Sequence, residues 1–175
     1  LAVSTTGQNN VAIGSLCMTS GDVTGNNNAA VGNEALERLT SGSYNCALGQ
    51  DALEKVTSGM NNIGIGRDAG GEITTETGNV CVGGYALTDC TDSYNVAVGY
   101  NAGKEISTGS TNVVIGKEAM KGTDGNTTAD NCVCVGGQAG FSITSGLINT
   151  VVGSMAGYNI STGSGNTLLG REAGE

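Results

Sequence analysis

The chain has 175 residues, of which 31 are Gly, with five Tyr, one Phe and no Pro, His or Trp. Its net charge of −9 supplies no basic face for phosphate contacts, which argues against nucleic-acid binding. No apolar run approaches the ~18 residues of a membrane span, and no basic-then-apolar stretch has signal-peptide form.

One phrase recurs from end to end. It reads NVAIG at 10–14, NAAVG at 28–32, NCALG at 45–49, NIGIG at 62–66 and NVCVG at 79–83. It continues as NVAVG at 95–99, NVVIG at 112–116, CVCVG at 132–136, NTVVG at 149–153 and NTLLG at 166–170. With the final Gly as position 0, the copies are spaced 18, 17, 17, 17, 16, 17, 20, 17 and 17 residues apart. A unit this short cannot bury its own apolar face, but stacked units can. The expected fold is therefore a β-solenoid, a parallel β-roll or β-helix of ten coils with about 17 residues per coil, forming one array over 1–175. The chain begins at Leu1 and stops inside a repeat, which reads as a processed chain or a fragment of a longer fibre.

Within each unit, positions −3 to −1 are expected to form a short strand. Gly at 0 suits a corner that needs positive φ or close backbone approach. Ala recurs at +3, as in Ala35, Ala52 and Ala69, and an apolar residue recurs at +7, as in Leu39, Val56 and Ile73. NEALERL at 33–39 and QDALEKV at 50–56 have apolar residues at helical spacing, so a short helical turn is expected in some coils. A TSG or STG turn closes several units.

Asn at −4 has two readings. Asn favours local turns through side-chain bonds to backbone. Equivalent Asn residues can also stack into an amide ladder, here Asn28, Asn45, Asn62, Asn79, Asn95, Asn112, Asn149 and Asn166. The ladder is the preferred reading over a ligand site. Cys132 interrupts the column.

Both strand faces are apolar. The −1 column runs from Ile13 to Leu169 and is expected to face the coil interior. The −2 column is Ala12, Ala30, Ala47, Gly64, Cys81, Ala97, Val114, Cys134, Val151 and Leu168. It is expected to face outward as an association surface, covered by a parallel homotrimer or by a second layer of the same chain.

The six Cys follow these columns and are read as reduced packing residues rather than disulfides. With no His and no CxxC, a zinc site is not expected. The longest spacing contains GTDGNTTADN at 122–131, where Asp124 and Asp130 are weak calcium candidates. No catalytic residues and no cofactor are expected.

The phrases NVAIG, NVAVG and NVVIG resemble the head repeats of trimeric autotransporter adhesins of the YadA-like type, and also repeats of phage and virus tail-fibre proteins. The resemblance covers all ten copies, with a period nearer 17 than 14 residues and without a Ser after the Asn. It implies a trimeric, elongated surface structure outside the cell or on a virion, with no catalytic residues. The leading expectation is a structural or adhesive fibre shaft, with self as partner and a surface receptor or glycan as a further one. Two alternatives stand beside it. An ice-binding solenoid would use Thr40, Thr57, Thr108, Thr144 and Thr162, and a glycan-active β-helix depolymerase would need clustered carboxylates.

Overall fold

The computed structural model describes residues 6–123 and 125–175. Each copy of the phrase supplies one three-residue strand. These are β1 (Val11–Ile13), β2 (Ala29–Val31), β3 (Cys46–Leu48), β4 (Ile63–Ile65), β5 (Val80–Val82), β6 (Val96–Val98), β7 (Val113–Ile115), β8 (Val133–Val135), β9 (Thr150–Val152) and β10 (Thr167–Leu169). They form a single sheet in chain order. Every pair is parallel with like positions opposite, as in Ala12 against Ala30 and Val114 against Cys134. The chain is a β-solenoid, one strand per coil.

Three-residue strands cannot hold such a stack alone, so the rest of each coil is bonded to its neighbours as well. Ala29 N–H donates forward to Asn45 O at 2.9 Å, and Gly32 N–H donates back to Ile13 O at 2.8 Å. Past the corner, Glu34 N–H reaches back to Ser15 O, while Leu36 and Arg38 N–H reach forward to Ala52 and Glu54 O. Thr40 closes the coil by donating N–H to Thr57 O at 3.0 Å. A buried backbone group must find such a partner, and here the partner lies in the next coil.

Among the described residues there is no helix, against the expectation for 33–39 and 50–56. The reason is the backbone sign at +2 and +4. Glu34 (φ 57), Leu36 (φ 49), Asp51 (φ 58) and Leu53 (φ 51) are all left-handed, alternating with ordinary residues. A right-handed helix cannot contain them. The apolar spacing at +3, +4 and +7 is real, but it turns three residues into a coil interior instead of along a helix face.

Gly at 0 is required twice over. Gly99 has φ 136, and a Cβ there would lie 2.6 Å from the carbonyl oxygen of Gly116 in the next coil. Only Gly tolerates both the conformation and the contact.

The Asn column forms a hydrogen-bonded ladder interrupted at Cys132. Asn45 Oδ1 accepts the backbone N–H of Asn62 at 3.0 Å and its Nδ2 at 3.2 Å. Asn62 Nδ2 also donates to Glu76 O across its own coil at 2.8 Å. Each amide thus ties two coils together and pins its own turn. Asn28 to Asn149 are buried along the column. At Cys132 the backbone N–H still donates to Asn112 Oδ1, while the thiol donates to Gly146 O at 3.3 Å.

The interior overturns the expected strand orientation. The −2 side chains point inward: Ala30, Cys81, Ala97, Val114, Cys134 and Val151 are fully buried, with Ala12 and Leu168 packed against the same core. The −1 side chains point out, with Ile13, Leu48, Ile115 and Leu169 exposed. The coil is narrow, so its inner strand position takes small residues while Ile and Leu sit outside. In several coils the size at −2 is matched to that at +4. Where +4 is Leu36 or Leu53, −2 is Ala30 or Ala47. Where +4 is Gly157 or Gly174, −2 is Val151 or Leu168. A Cβ at Gly174 would lie 2.8 Å from Leu168 Cδ1, and one at Gly64 would lie 2.6 Å from Leu53 Cγ. Volume removed on one wall is returned on the other, as close packing demands.

Candidate functional site

The surface that stands apart is the outer face of the sheet. Position −3 contributes Val11, Ala29, Cys46, Ile63, Val80, Val96, Val113, Val133, Thr150 and Thr167, and position −1 the column from Ile13 to Leu169. Nearly all are apolar and half-buried or exposed, with Val11 at 49%, Ile13 at 59% and Leu169 at 79%. At ~4.8 Å per strand and about 7 Å between the two columns, the strip measures roughly 45 by 10 Å, about 450 Å². That matches the largest apolar patches on ordinary monomers, which are commonly functional. The −2 column named from sequence as the interface is buried in the core and cannot make contact.

One thiol lies on this strip. All six cysteines are free, and Cys46 alone is exposed. Burial holds the others in the thiol form, pushing Cys134 up to about 12 and Cys90 up to about 11. Cys81, wholly enclosed, is raised well above its ordinary value by the same desolvation.

The charged residues lie on the outer corner at +1, +2, +5 and +6, away from the strip. Arg38 pairs with Glu54 at 3.2 Å, Lys55 with Glu72 at 2.5 Å and Lys121 with Glu105 at 3.6 Å, each pair joining adjacent coils. Asp68 titrates above the usual carboxylate range because it is partly buried and faces Asp51, Glu54, Asp89 and Glu72. Asp89 is raised chiefly by burial as well, although Lys104 opposes the shift. Glu76 behaves oppositely. Burial pushes it up, but N–H donation from Thr74 and Thr75 more than offsets this and leaves it low.

Of the two calcium candidates, Asp130 is engaged in a turn. Asp130 Oδ1 accepts the N–H of Ser110 at 2.7 Å and its hydroxyl at 3.1 Å, closing the long turn. Asp124 lies outside the described residues. Sequence reading missed a group formed by Glu34, Glu37 and Glu54, whose carboxylates lie within 4.8 Å of one another on the corner of two coils. Glu54 is paired with Arg38, and Glu34 accepts from Asn33 at 3.0 Å. These three become neighbours only through stacking.

Three of the five corner threonines donate their hydroxyls to backbone, whereas Thr108 and Thr162 are exposed. Thr40 Oγ1 donates to Thr57 O at 3.0 Å, Thr57 to Thr74 O and Thr144 to Ser161 O, both at 3.3 Å. These bonds form a second ladder from coil to coil. The described residues enclose no pocket. No family model, no curated protein and no solved structure matches the chain.

Proposed function

We propose that this chain is a shaft segment of a surface fibre, built from parallel copies that meet through the outer sheet face, three about a common axis. The observation that carries the reading is the strip at −3 and −1, mostly Val, Ile and Leu, that runs the length of the sheet's outer face. The mechanism is mechanical. Backbone bonds and two side-chain ladders hold each coil to the next, and the apolar strip holds copy to copy. The fibre-like phrases NVAIG and NVAVG support the same reading, which places the chain outside the cell or on a virion.

A pair of strips alone is small for a stable interface. Two strips face to face would bury about 900 Å² in total, below the roughly 1,200–2,000 Å² of stable interfaces. Three copies around an axis place each strip against two neighbours and bring the flanking corners into contact. A receptor or glycan would then bind on the charged positions +5 and +6, farther from the strip.

Light scattering on a sizing column tests this. The expected mass is three times 17.3 kDa, unchanged by reductant. A folded species of 17.3 kDa at micromolar concentration would overturn it.

A further inference from the structure

The two outermost coils of the described stack carry matching sets of unused polar groups. In the coil of β1, the N–H groups of Asn10, Gly14 and Leu16 have no acceptor among the described residues, and the carbonyls of Asn10 and Cys17 have no donor there. In the coil of β10, Asn166 Oδ1 and the carbonyls of Leu169 and Arg171 accept nothing among the described residues, and the N–H groups of Thr167 and Gly174 donate to none of them. An open sheet edge of this kind is a template for pairing.

Each unused donor has its acceptor on the other coil. The pattern is set by the junction of the first two coils. There Asn28 N–H donates to Asn10 Oδ1 at 2.9 Å, Gly32 N–H to Ile13 O at 2.8 Å and Glu34 N–H to Ser15 O at 2.9 Å. In the other direction Val11 N–H donates to Asn28 O at 2.8 Å and Met18 N–H to Ala35 O at 3.3 Å. Seated on the coil of β10, a coil of β1 would repeat all of these bonds. Asn10, Gly14 and Leu16 would donate to Asn166 Oδ1, Leu169 O and Arg171 O, while Thr167 and Gly174 would donate to Asn10 O and Cys17 O.

The apolar groups agree. Solenoids end on repeats with a polar outer face. Here Leu168 and Ala173 are only partly buried, whereas Val151 and Ala156, their counterparts one coil earlier, are fully buried. The corner is open as well. A Cβ added at Gly136 or Gly153 would strike the carbonyl oxygen of the next coil, but one at Gly170 would meet nothing within 4 Å.

We infer that copies of this chain stack end to end, the coil of β1 of one copy seated on the coil of β10 of the next, so that the sheet and the Asn ladder run on from copy to copy. The contact joins two different surfaces, so it does not close on itself and extends into a filament. It is independent of the sideways association proposed above, which uses the outer sheet face. The particle therefore lengthens as concentration rises above the micromolar range.

Paired cysteines test this in chains in which Cys46→Ala removes the exposed thiol. Ser15 and Arg171 occupy the same corner position, +1, in the coils of β1 and β10. Stacked copies bring the two within about 5 Å, inside the reach of a disulfide. Within one chain they lie nine coils, or ~43 Å, apart, so no bridge can form there. Ser15→Cys with Arg171→Cys is expected, after mild oxidation of concentrated protein, to give a covalent ladder on a non-reducing gel that extends beyond three chains. Sideways contacts in a trimer cannot pass three. Adding Thr167→Pro is expected to abolish the ladder. It removes an N–H that only stacking uses, at the first residue of an edge strand, where Pro is tolerated. Linkage that stops at three chains, or a ladder that Thr167→Pro leaves intact, overturns end-to-end stacking and leaves the trimer standing. A ladder from chains that are folded monomers in dilute solution upholds stacking and overturns the trimer. The parent chain serves should the cysteine pair fail to fold: its mass by light scattering is expected to rise about twofold or more from dilute to concentrated solution, and a constant mass overturns the inference.

Discussion

Asn95 Oδ1 accepts both the backbone N–H and the side-chain Nδ2 of Asn112, each at 3.1 Å, so one buried oxygen joins two coils twice. Asn112 repeats the pattern upward, accepting Cys132 N–H at 2.9 Å and donating to Ala129 O at 2.7 Å. Asn112→Ala would leave that N–H and that carbonyl buried without partners. A loss of about 2–4 kcal/mol is expected, read by equilibrium urea unfolding. Cys132→Asn restores the missing rung between Asn112 and Asn149 and is expected to gain about 1 kcal/mol. A neutral Asn112→Ala would remove the ladder from the account of stability.

The corner glycines make a second prediction. Gly99→Ala places a Cβ 2.6 Å from Gly116 O at φ 136 and is expected to cost about 3 kcal/mol or more. Gly170 has φ 121 but no atom within 4 Å of an added Cβ, so Gly170→Ala carries only the conformational penalty, about 1–2 kcal/mol. Equal losses at the two sites would mean that close approach of coils plays no part.

Adjacent residues should respond oppositely to the same change. Val114 is fully buried, whereas Ile115 is 39% exposed on the strip. Val114→Lys puts a charge into an apolar core and is expected to abolish folding. Ile115→Lys is expected to keep the circular dichroism spectrum of the parent while reducing the molar mass to that of one chain. A folded Val114→Lys would invert the assignment of the two faces.

The repeat, its period and the roles of Asn and Gly were legible because each is forced once per coil by local chemistry. The strand orientation was not, since both −1 and −2 are apolar and alternation alone does not separate them. The discriminating signal was size. Ala30, Ala47 and Gly64 fit inside a narrow coil, with Leu36 and Leu53 filling the space beside them. The absent helix has a similar origin: NEALERL carries helical spacing, but Gly at +4 in Gly70, Gly103 and Gly140 marked a left-handed position. Asp130 drew attention as a carboxylate in a loop, and only the stacked coil reveals Ser110 as its partner.

The acidic corner predicts an unusual pH response. Asp68 and Asp89 have folded values above the ordinary 3.8, so their charged forms are disfavoured in the native state. As pH falls through those raised values the penalty is relieved, and stability rises. Glu76 lies below its ordinary 4.5, so its contribution is present at neutral pH and is lost as pH falls through its depressed value. The melting temperature is therefore expected to rise as pH falls through the raised values of Asp68 and Asp89, and to fall in stronger acid as Glu76 protonates. Asp68→Asn is expected to flatten the first limb. A steady decline from neutral pH would show that the corner is not under mutual repulsion.

The most direct test of the central claim uses the native Cys46, which lies on the strip while the other five thiols are buried. Parallel copies about an axis bring the Cys46 residues to one level. Antiparallel copies set Cys46 opposite the coil of Val133, five coils or about 24 Å away. Mild oxidation of the folded protein at micromolar concentration should yield a covalent dimer through Cys46, lost in Cys46→Ser. In a trimer one chain in three remains unlinked. A protein that stays wholly monomeric on the non-reducing gel, with Cys46 labelled rapidly by a water-soluble maleimide, would contradict the claim that this face is where copies meet.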